Sequence, residues 1–225
     1  SRMISESLLE HEGSDPNKTA QFITETVLAY IQTITSNQSI ELEEILSIQT
    51  IQQLCEFFDS AFSPNADARM FEVVSFVLLA EHYRGQSYYI GPSPNQLELK
   101  YLSLFRTGRT NANDGGIDFV LQPLGRFFQV TETVDFKKYF LDFEKVNRFP
   151  ISFVIKIDAT AAEVKRRIQY DAERSGQYSA ALLATYLQLF DEIFTLQDLA
   201  AIAKRIALPS LEKIKTQMAL QFQLE

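Results

Sequence analysis

Several residue types that carry common protein chemistry are scarce in this chain. Of its 225 residues, one is cysteine (Cys55), two are histidine and none is tryptophan. A single cysteine excludes an internal disulfide and a zinc centre built from several cysteines. The histidines, His11 and His82, lie far apart in the sequence and belong to no Ser/His or metal-binding pattern.

Three sequence signatures are also absent. No run approaches the roughly 20 continuous apolar residues that a membrane span needs. No basic segment followed by an apolar stretch opens the chain, as a secretion signal would. The glycines at 108, 115 and 116 are not followed by Gly-Lys-Ser/Thr, which argues against a nucleotide hydrolase. We therefore expect a cytoplasmic protein that has no membrane partner.

The net charge of −8 is unevenly distributed along the chain. Residues 1–96 hold 4 Lys/Arg against 13 Asp/Glu, whereas residues 97–150 hold 8 against 7 and residues 151–225 hold 9 against 9. An acidic protein is a poor partner for phosphate, but here the acidity is confined to the first part. The uneven distribution therefore weakens the charge objection to a nucleic-acid partner without removing it.

Apolar spacing divides the chain into helices, then strands, then helices. Residues 4–62 and about 68–83 have helical spacing. Aromatic and β-branched residues predict strands at 87–90, 97–105, 116–121, 126–134 and 151–157. We predict further helices at 135–147, 161–175, 178–190, 196–207 and 210–224. This order predicts an α/β fold in which helices flank a central mixed sheet, with a helical N-terminal region at 1–66 and an α/β domain at 67–225.

One group of polar residues lies in the middle of this sheet. Asp118 follows a tight turn at the start of a predicted strand, and the turn Pro123-Leu124-Gly125 returns the chain into the next strand. Strand alternation places Gln129, Thr131 and Thr133 on one face of that strand. A carboxylate facing polar side chains on the adjoining strand is a geometry suited to Mg²⁺, which takes a few oxygen ligands and keeps several waters. A simple hairpin turn capped by Asp118 is the alternative interpretation.

The same residues resemble the PD-(D/E)xK nuclease superfamily. Its signature is an Asp at a strand start, then Glu or Gln, one apolar residue and Lys on the next strand; Asp118 and Gln129-Val130-Thr131 are similar to it. The segment from Phe71 to Lys156 resembles proteins described as type II restriction endonucleases. The resemblance implies a restriction-endonuclease-like fold and an Mg²⁺-dependent nuclease.

The resemblance also implies roles for individual residues. Asp118 would be the principal metal ligand, Gln129 a second one, and Glu72 an auxiliary acid on the first core helix. Thr131 occupies the place of the lysine that orients the attacking water and stabilises charge in the transition state. A threonine cannot supply that charge. Three alternatives follow: a lysine from another part of the chain supplies it, the metal contributes more of the transition-state stabilisation, or the domain is catalytically inactive. The nearest lysines in sequence are Lys100, Lys137 and Lys138.

Basic and polar residues flank the segment that leads to Asp118. Phosphate contacts or base reading would suit such residues beside a metal site, and a solvated loop is the alternative. The predicted DNA contacts are Lys100, Arg106, Arg109, Asn111 and Asn113. We expect a type II restriction endonuclease that cuts double-stranded DNA as a homodimer, with the helical N-terminal region used for dimerisation or recognition. A catalytically inactive DNA-binding or interaction module and a structure-specific repair nuclease are the alternatives.

Overall fold

The computed structural model describes residues 15–107, 116–206 and 208–223. The chain divides into two compact units, residues 1–47 and 48–225. The first unit contains a long helix, α1 (Pro16–Ser47). The second contains the sheets and the remaining described helices, including α2 (Ile51–Phe62), which the prediction had grouped with the N-terminal region. Among the described residues, no helix is both long and apolar enough to cross a bilayer.

The second unit is a mixed α/β structure. Its elements, in chain order after α2, are α3 (Ala68–Tyr83), β1 (Ser87–Ile90), β2 (Glu98–Tyr101), β3 (Ser103–Arg106), β4 (Phe119–Gln122), β5 (Arg126–Thr131), α4 (Phe136–Lys145), β6 (Ile151–Ile155), α5 (Ala161–Ser175), α6 (Ala180–Gln188), β7 (Phe190–Phe194), α7 (Leu196–Ala203), a 3-10 turn (Leu208–Ser210) and α8 (Leu211–Gln223). The predicted mixed sheet flanked by helices is confirmed at this level.

Five strands form the central sheet in the order β3-β4-β5-β6-β7. The pairs β3/β4 and β4/β5 are antiparallel, and a three-residue turn, 123–125, joins β4 to β5, whereas β5/β6 and β6/β7 are parallel. Parallel neighbours need a crossover connection, and α4 supplies it between β5 and β6. Strands β1 and β2 form a separate antiparallel pair.

Two strand predictions were wrong in detail. The predicted strand 97–105 is two strands, β2 and β3, which belong to different sheets. The segment Phe190–Phe194 was not predicted as a strand, yet it forms β7 at the edge of the sheet. Two acidic residues within five hid its strand character, and only the parallel pairing with β6 defines it.

The two faces of the central sheet pack against different helices. On one face, α3 packs against β3, α7 and α8, and the Phe76 ring contacts Phe119 at a centroid distance of 5.3 Å. The other face packs against α4, α5 and α6 through a cluster of aromatic rings that includes Tyr139, Phe143 and Phe153. We call these faces the α3 side and the α4 side. Because alternate residues of a strand point to opposite faces, Phe128 lies on the α3 side and Gln129 on the α4 side.

Candidate functional site

Asp118 lies just before β4 and is bound to the neighbouring strand. Its backbone N–H donates to the Phe128 carbonyl at 2.8 Å, and its Oδ2 accepts from the Val130 N–H at 2.6 Å. The Thr107 N–H donates to the Asp118 carbonyl at 3.0 Å, which ties the end of β3 to the same point. Its carboxylate thus satisfies a backbone donor of β5, and the role of Asp118 as a metal ligand stays a prediction.

Gln129 and Thr131 lie on the α4 side of β5, as the alternation predicted. Both are buried, with 8% and 4% of their surface exposed. The Gln129 amide donates to the Val130 carbonyl at 3.1 Å, while its Oε1 is buried and has no hydrogen-bond partner among the described residues. An acceptor left in this state costs free energy, of the order of 1–3 kcal/mol. This oxygen is therefore available to a ligand.

A lysine from the crossover helix reaches Thr131. The Lys138 Nζ lies 3.2 Å from the Thr131 Oγ1, within hydrogen-bond distance. Asp135 begins α4 by accepting a hydrogen bond from the Lys137 N–H at 2.9 Å, which fixes the first turn of the helix over the end of β5. Within the described part of the chain, Lys138 forms no ion pair with a carboxylate, so its charge is not neutralised locally.

The other two candidate lysines lie elsewhere. The Lys137 ammonium lies over the Phe136 ring, 5.9 Å from its centroid. The Lys100 ammonium pairs with Glu98 at 2.5 Å on β2, a strand of the separate two-stranded sheet. Of the three lysines, Lys138 is the one that the fold brings to Thr131.

Glu72 lies on the α3 side, away from Gln129. It is buried in α3 and forms an ion pair and hydrogen bond with Arg106 of β3. Arg106 also donates to the Gln221 side chain at 3.3 Å. As a metal ligand, Glu72 would have to compete with this guanidinium, and a DNA contact by Arg106 would require the pair to open. Both roles stay predictions.

The remaining predicted DNA contacts are divided between two places. Lys100 is exposed on β2, where a phosphate contact is sterically open. Arg109, Asn111 and Asn113 lie outside the described residues. Their roles stay predictions as well.

Two residues of α4 that sequence reasoning did not assign join the site. Asp142 is buried, with 1% of its surface exposed, and its Oδ1 accepts from the Lys145 Nζ at 2.8 Å. Both lie next to Gly116, where a Cβ would be 3.1 Å from Asp142 Oδ1 and 3.5 Å from Lys145 Nζ. The same point is 3.5 Å from Gln129 Oε1. The spacing of four between Lys138 and Asp142, which puts them on one helix face, was the signal in the sequence.

The donor atoms of this site suit a hard cation. The oxygens of Asp118 and Gln129 are the ligand type that Mg²⁺ prefers, and they would leave several positions to water. No group of three or more His, Cys, Asp or Glu residues capable of holding a metal occurs in the described ranges. The fit therefore depends on a mixed set of carboxylate and amide oxygens.

Comparison with known proteins finds no matching family model, no matching curated protein and no matching solved structure.

Proposed function

We propose that this chain is a cytoplasmic, Mg²⁺-dependent DNA endonuclease with a restriction-endonuclease-like fold, of the type II restriction class. The proposal starts from the PD-(D/E)xK-like pattern in the sequence. It is supported by the order α3, β3, β4, β5, α4 and β6, which has Asp118 at a strand start and Gln129 and Thr131 on the next strand.

The observation that carries the proposal is the position of Lys138. The main departure from the superfamily pattern is Thr131 in place of lysine, which removes a positive charge from β5. The Lys138 ammonium lies 3.2 Å from the Thr131 hydroxyl, so α4 returns a positive charge to the place where the pattern expects one. Since this charge has no carboxylate partner in the described residues, it is available to a phosphate.

The residues of the site divide the chemistry among them. Asp118 and Gln129 would hold the ion, and bound Mg²⁺ would lower the pKa of a water and offset charge on the phosphate. Lys138 would orient the water and stabilise the negative charge that develops on the phosphate oxygens. Thr131 holds the ammonium in place through its hydroxyl.

A plasmid-cleavage assay tests the proposal. The full chain is incubated with supercoiled plasmid and Mg²⁺, with EDTA as the control, and the products are separated by electrophoresis. Discrete fragments of constant size support a restriction endonuclease, and EDTA should abolish them.

Two other outcomes would overturn the proposal. Absence of cleavage with Mg²⁺ and with Mn²⁺ would favour the inactive DNA-binding module. Cutting confined to branched or flapped substrates, with linear duplex left intact, would favour the structure-specific repair nuclease.

A homodimer is part of the proposal because a palindromic duplex pairs naturally with a two-fold protein. The supporting feature is α1, which carries large apolar side chains with more than half of their surface exposed, among them Phe22, Tyr30 and Ile40. Helices in proteins gain most of their stability when an apolar face packs against another element, and a second copy of the chain would provide that packing. Analytical ultracentrifugation measures the oligomeric state directly.

A further inference from the structure

Asp142 presents a buried carboxylate whose charge is only partly compensated. Two per cent of its side chain is exposed, and Oδ1 accepts from Lys145. Its Oδ2 is buried and has no hydrogen-bond partner among the described residues. A buried carboxylate is costly unless all of its oxygens are satisfied. A further hydrogen-bond donor or a cation at Asp142 Oδ2 would therefore stabilise this carboxylate.

A second unsatisfied oxygen lies close by. Gln129 Oε1, on β5, and Asp142 Oδ1, on α4, lie 3.5 Å and 3.1 Å from the place where a Cβ on Gly116 would sit. Gly116 has a φ of +85°, which favours glycine, and the missing side chain leaves room between β5 and α4. Acceptor oxygens from two different elements, β5 and α4, thus converge on one space beside Gly116.

The groups that line the space beside Gly116 favour a cation over an anion. An anion would be repelled by the Asp142 carboxylate and would find acceptors instead of donors in the two unsatisfied oxygens. A hard divalent cation is attracted to carboxylate and amide oxygens, which are its usual ligands. Lys145 is the local counter-charge, and because 42% of its side chain is exposed it can move into solvent when a cation arrives.

We propose that Asp142 is a further cation ligand, which together with Gln129 Oε1 forms a divalent-cation position on the α4 side of the sheet. This inference rests on the proposed function in sharing Gln129 and the ion, but its test needs neither DNA nor cleavage. Asp142 thereby takes the auxiliary role that the sequence assigned to Glu72. Lys145 competes with the cation for the same carboxylate.

The test is a titration of the full chain with Mn²⁺ in which the free ion is followed by electron paramagnetic resonance. Asp142→Asn should weaken Mn²⁺ binding by a factor on the order of ten or more, because it removes a charged ligand. Asp171→Asn, at a partly exposed aspartate of α5, is the matched control and should leave the affinity within about twofold. Lys145→Ala should change the affinity in the opposite direction and tighten Mn²⁺ binding.

Thermal melts separate a ligand from a structural residue. Mn²⁺ at one fixed concentration that saturates the wild type should raise the melting temperature of the wild type and of Lys145→Ala by more than that of Asp142→Asn. Without metal, Asp142→Asn should melt no lower than the wild type, because the buried charge is gone. A loss of stability that is equal with and without Mn²⁺ would mean that Asp142 is structural and would overturn the inference.

Two further outcomes would also overturn it. If Asp142→Asn binds Mn²⁺ like the wild type while Asp118→Ala loses binding, the inference fails and the proposed nuclease site stands. If the wild type binds no Mn²⁺, the position does not exist, and the plasmid assay alone decides the nuclease function.

Discussion

On the α3 side of the sheet, the buried carboxylate of Glu72 lies against Arg106, whose side chain is just as buried at 8% exposed. On the α4 side, the buried carboxylate of Asp142 lies against Lys145, whose side chain is 42% exposed. The first pair lies within the packing of α3, β3 and α8, where Arg106 also donates to Gln221. Within the described part of the chain, Asp142 Oδ2 has no hydrogen-bond partner, and neither has Gln129 Oε1 near the same glycine, Gly116.

We interpret the Glu72 carboxylate as one that supports the fold and the Asp142 carboxylate as one that can bind a ligand. The Glu72 carboxylate is held by an equally buried guanidinium, so a ligand would have to displace Arg106 to bind it. Unsatisfied oxygens beside a lysine that can move are a local cost to stability, and such costs are typical of functional sites. We therefore expect substitutions on the α4 side to act mainly on activity and those on the α3 side mainly on stability.

Asp118→Ala has the largest expected effect. Loss of the principal ligand should reduce plasmid cleavage by about 1000-fold or more, while the fold is retained apart from the Val130 N–H that loses its acceptor at a cost of about 1 kcal/mol. The measurement is the rate of plasmid cleavage with Mg²⁺, together with a circular dichroism spectrum.

Asp118→Asn is the matched variant, because its side-chain oxygen can still accept from the Val130 N–H. It should be as inactive as Asp118→Ala yet as stable as the wild type. Full activity of either variant would refute the assignment of Asp118 as the metal ligand.

Arg106→Ala comes next and should act on stability. It removes the buried guanidinium that pairs with Glu72, and breaking a buried pair in this way costs roughly 3–5 kcal/mol and lowers the melting temperature by roughly 6–20 °C. Calorimetry measures the loss. The double substitution Glu72→Leu/Arg106→Met should recover most of it, since an apolar pair of similar volume often replaces a buried ion pair without cost. A melting temperature unchanged in Arg106→Ala would show that the pair contributes nothing.

Lys138→Ala should reduce cleavage by a factor on the order of 100, because it removes one charge-stabilising donor. The adjacent Lys137→Ala is the control: it also removes an exposed lysine from the first turn of α4, and it should stay within about twofold of the wild type. Equal loss in both variants would indicate a general electrostatic effect on DNA binding, not a role for Lys138 at Thr131.

The smallest expected effect is the pH dependence of stability contributed by His82. Burial, together with the nearby Arg205, lowers the pKa of His82 below its ordinary value, against the opposing effect of Glu192. The unfolded chain then binds the proton more readily than the folded one, so this contribution is full above about pH 6.5 and is lost as the pH falls toward the lowered pKa. Urea unfolding at pH 7.5 and pH 5.5 should show a smaller decrease for His82→Gln than for the wild type. An identical decrease in both would rule out His82 as the titrating group.

Much of the local structure was predictable from residue patterns. The helix α3 begins and ends at the predicted residues 68 and 83, and Asp67 caps its start by accepting from the Arg69 N–H at 2.7 Å. The aromatic alternation of β5 correctly placed Gln129 and Thr131 on one face. Strand β7 escaped prediction because a short edge strand is defined by its neighbour more than by its own composition.

The sequence by itself determined that a carboxylate at Asp118 precedes a strand and that polar residues share one face of the next strand, since both follow from turn chemistry and a period of two. It did not decide which of three lysines, Lys100, Lys137 or Lys138, supplies the positive charge that is absent at Thr131, and it predicted Glu72 as the auxiliary acid. Only the tertiary structure decided that α4 crosses the α4 side and brings Lys138 to Thr131 and Asp142 near Gln129, while Glu72 is paired with Arg106. Which helix covers which face depends on long-range packing, and no local pattern in the chain specifies it.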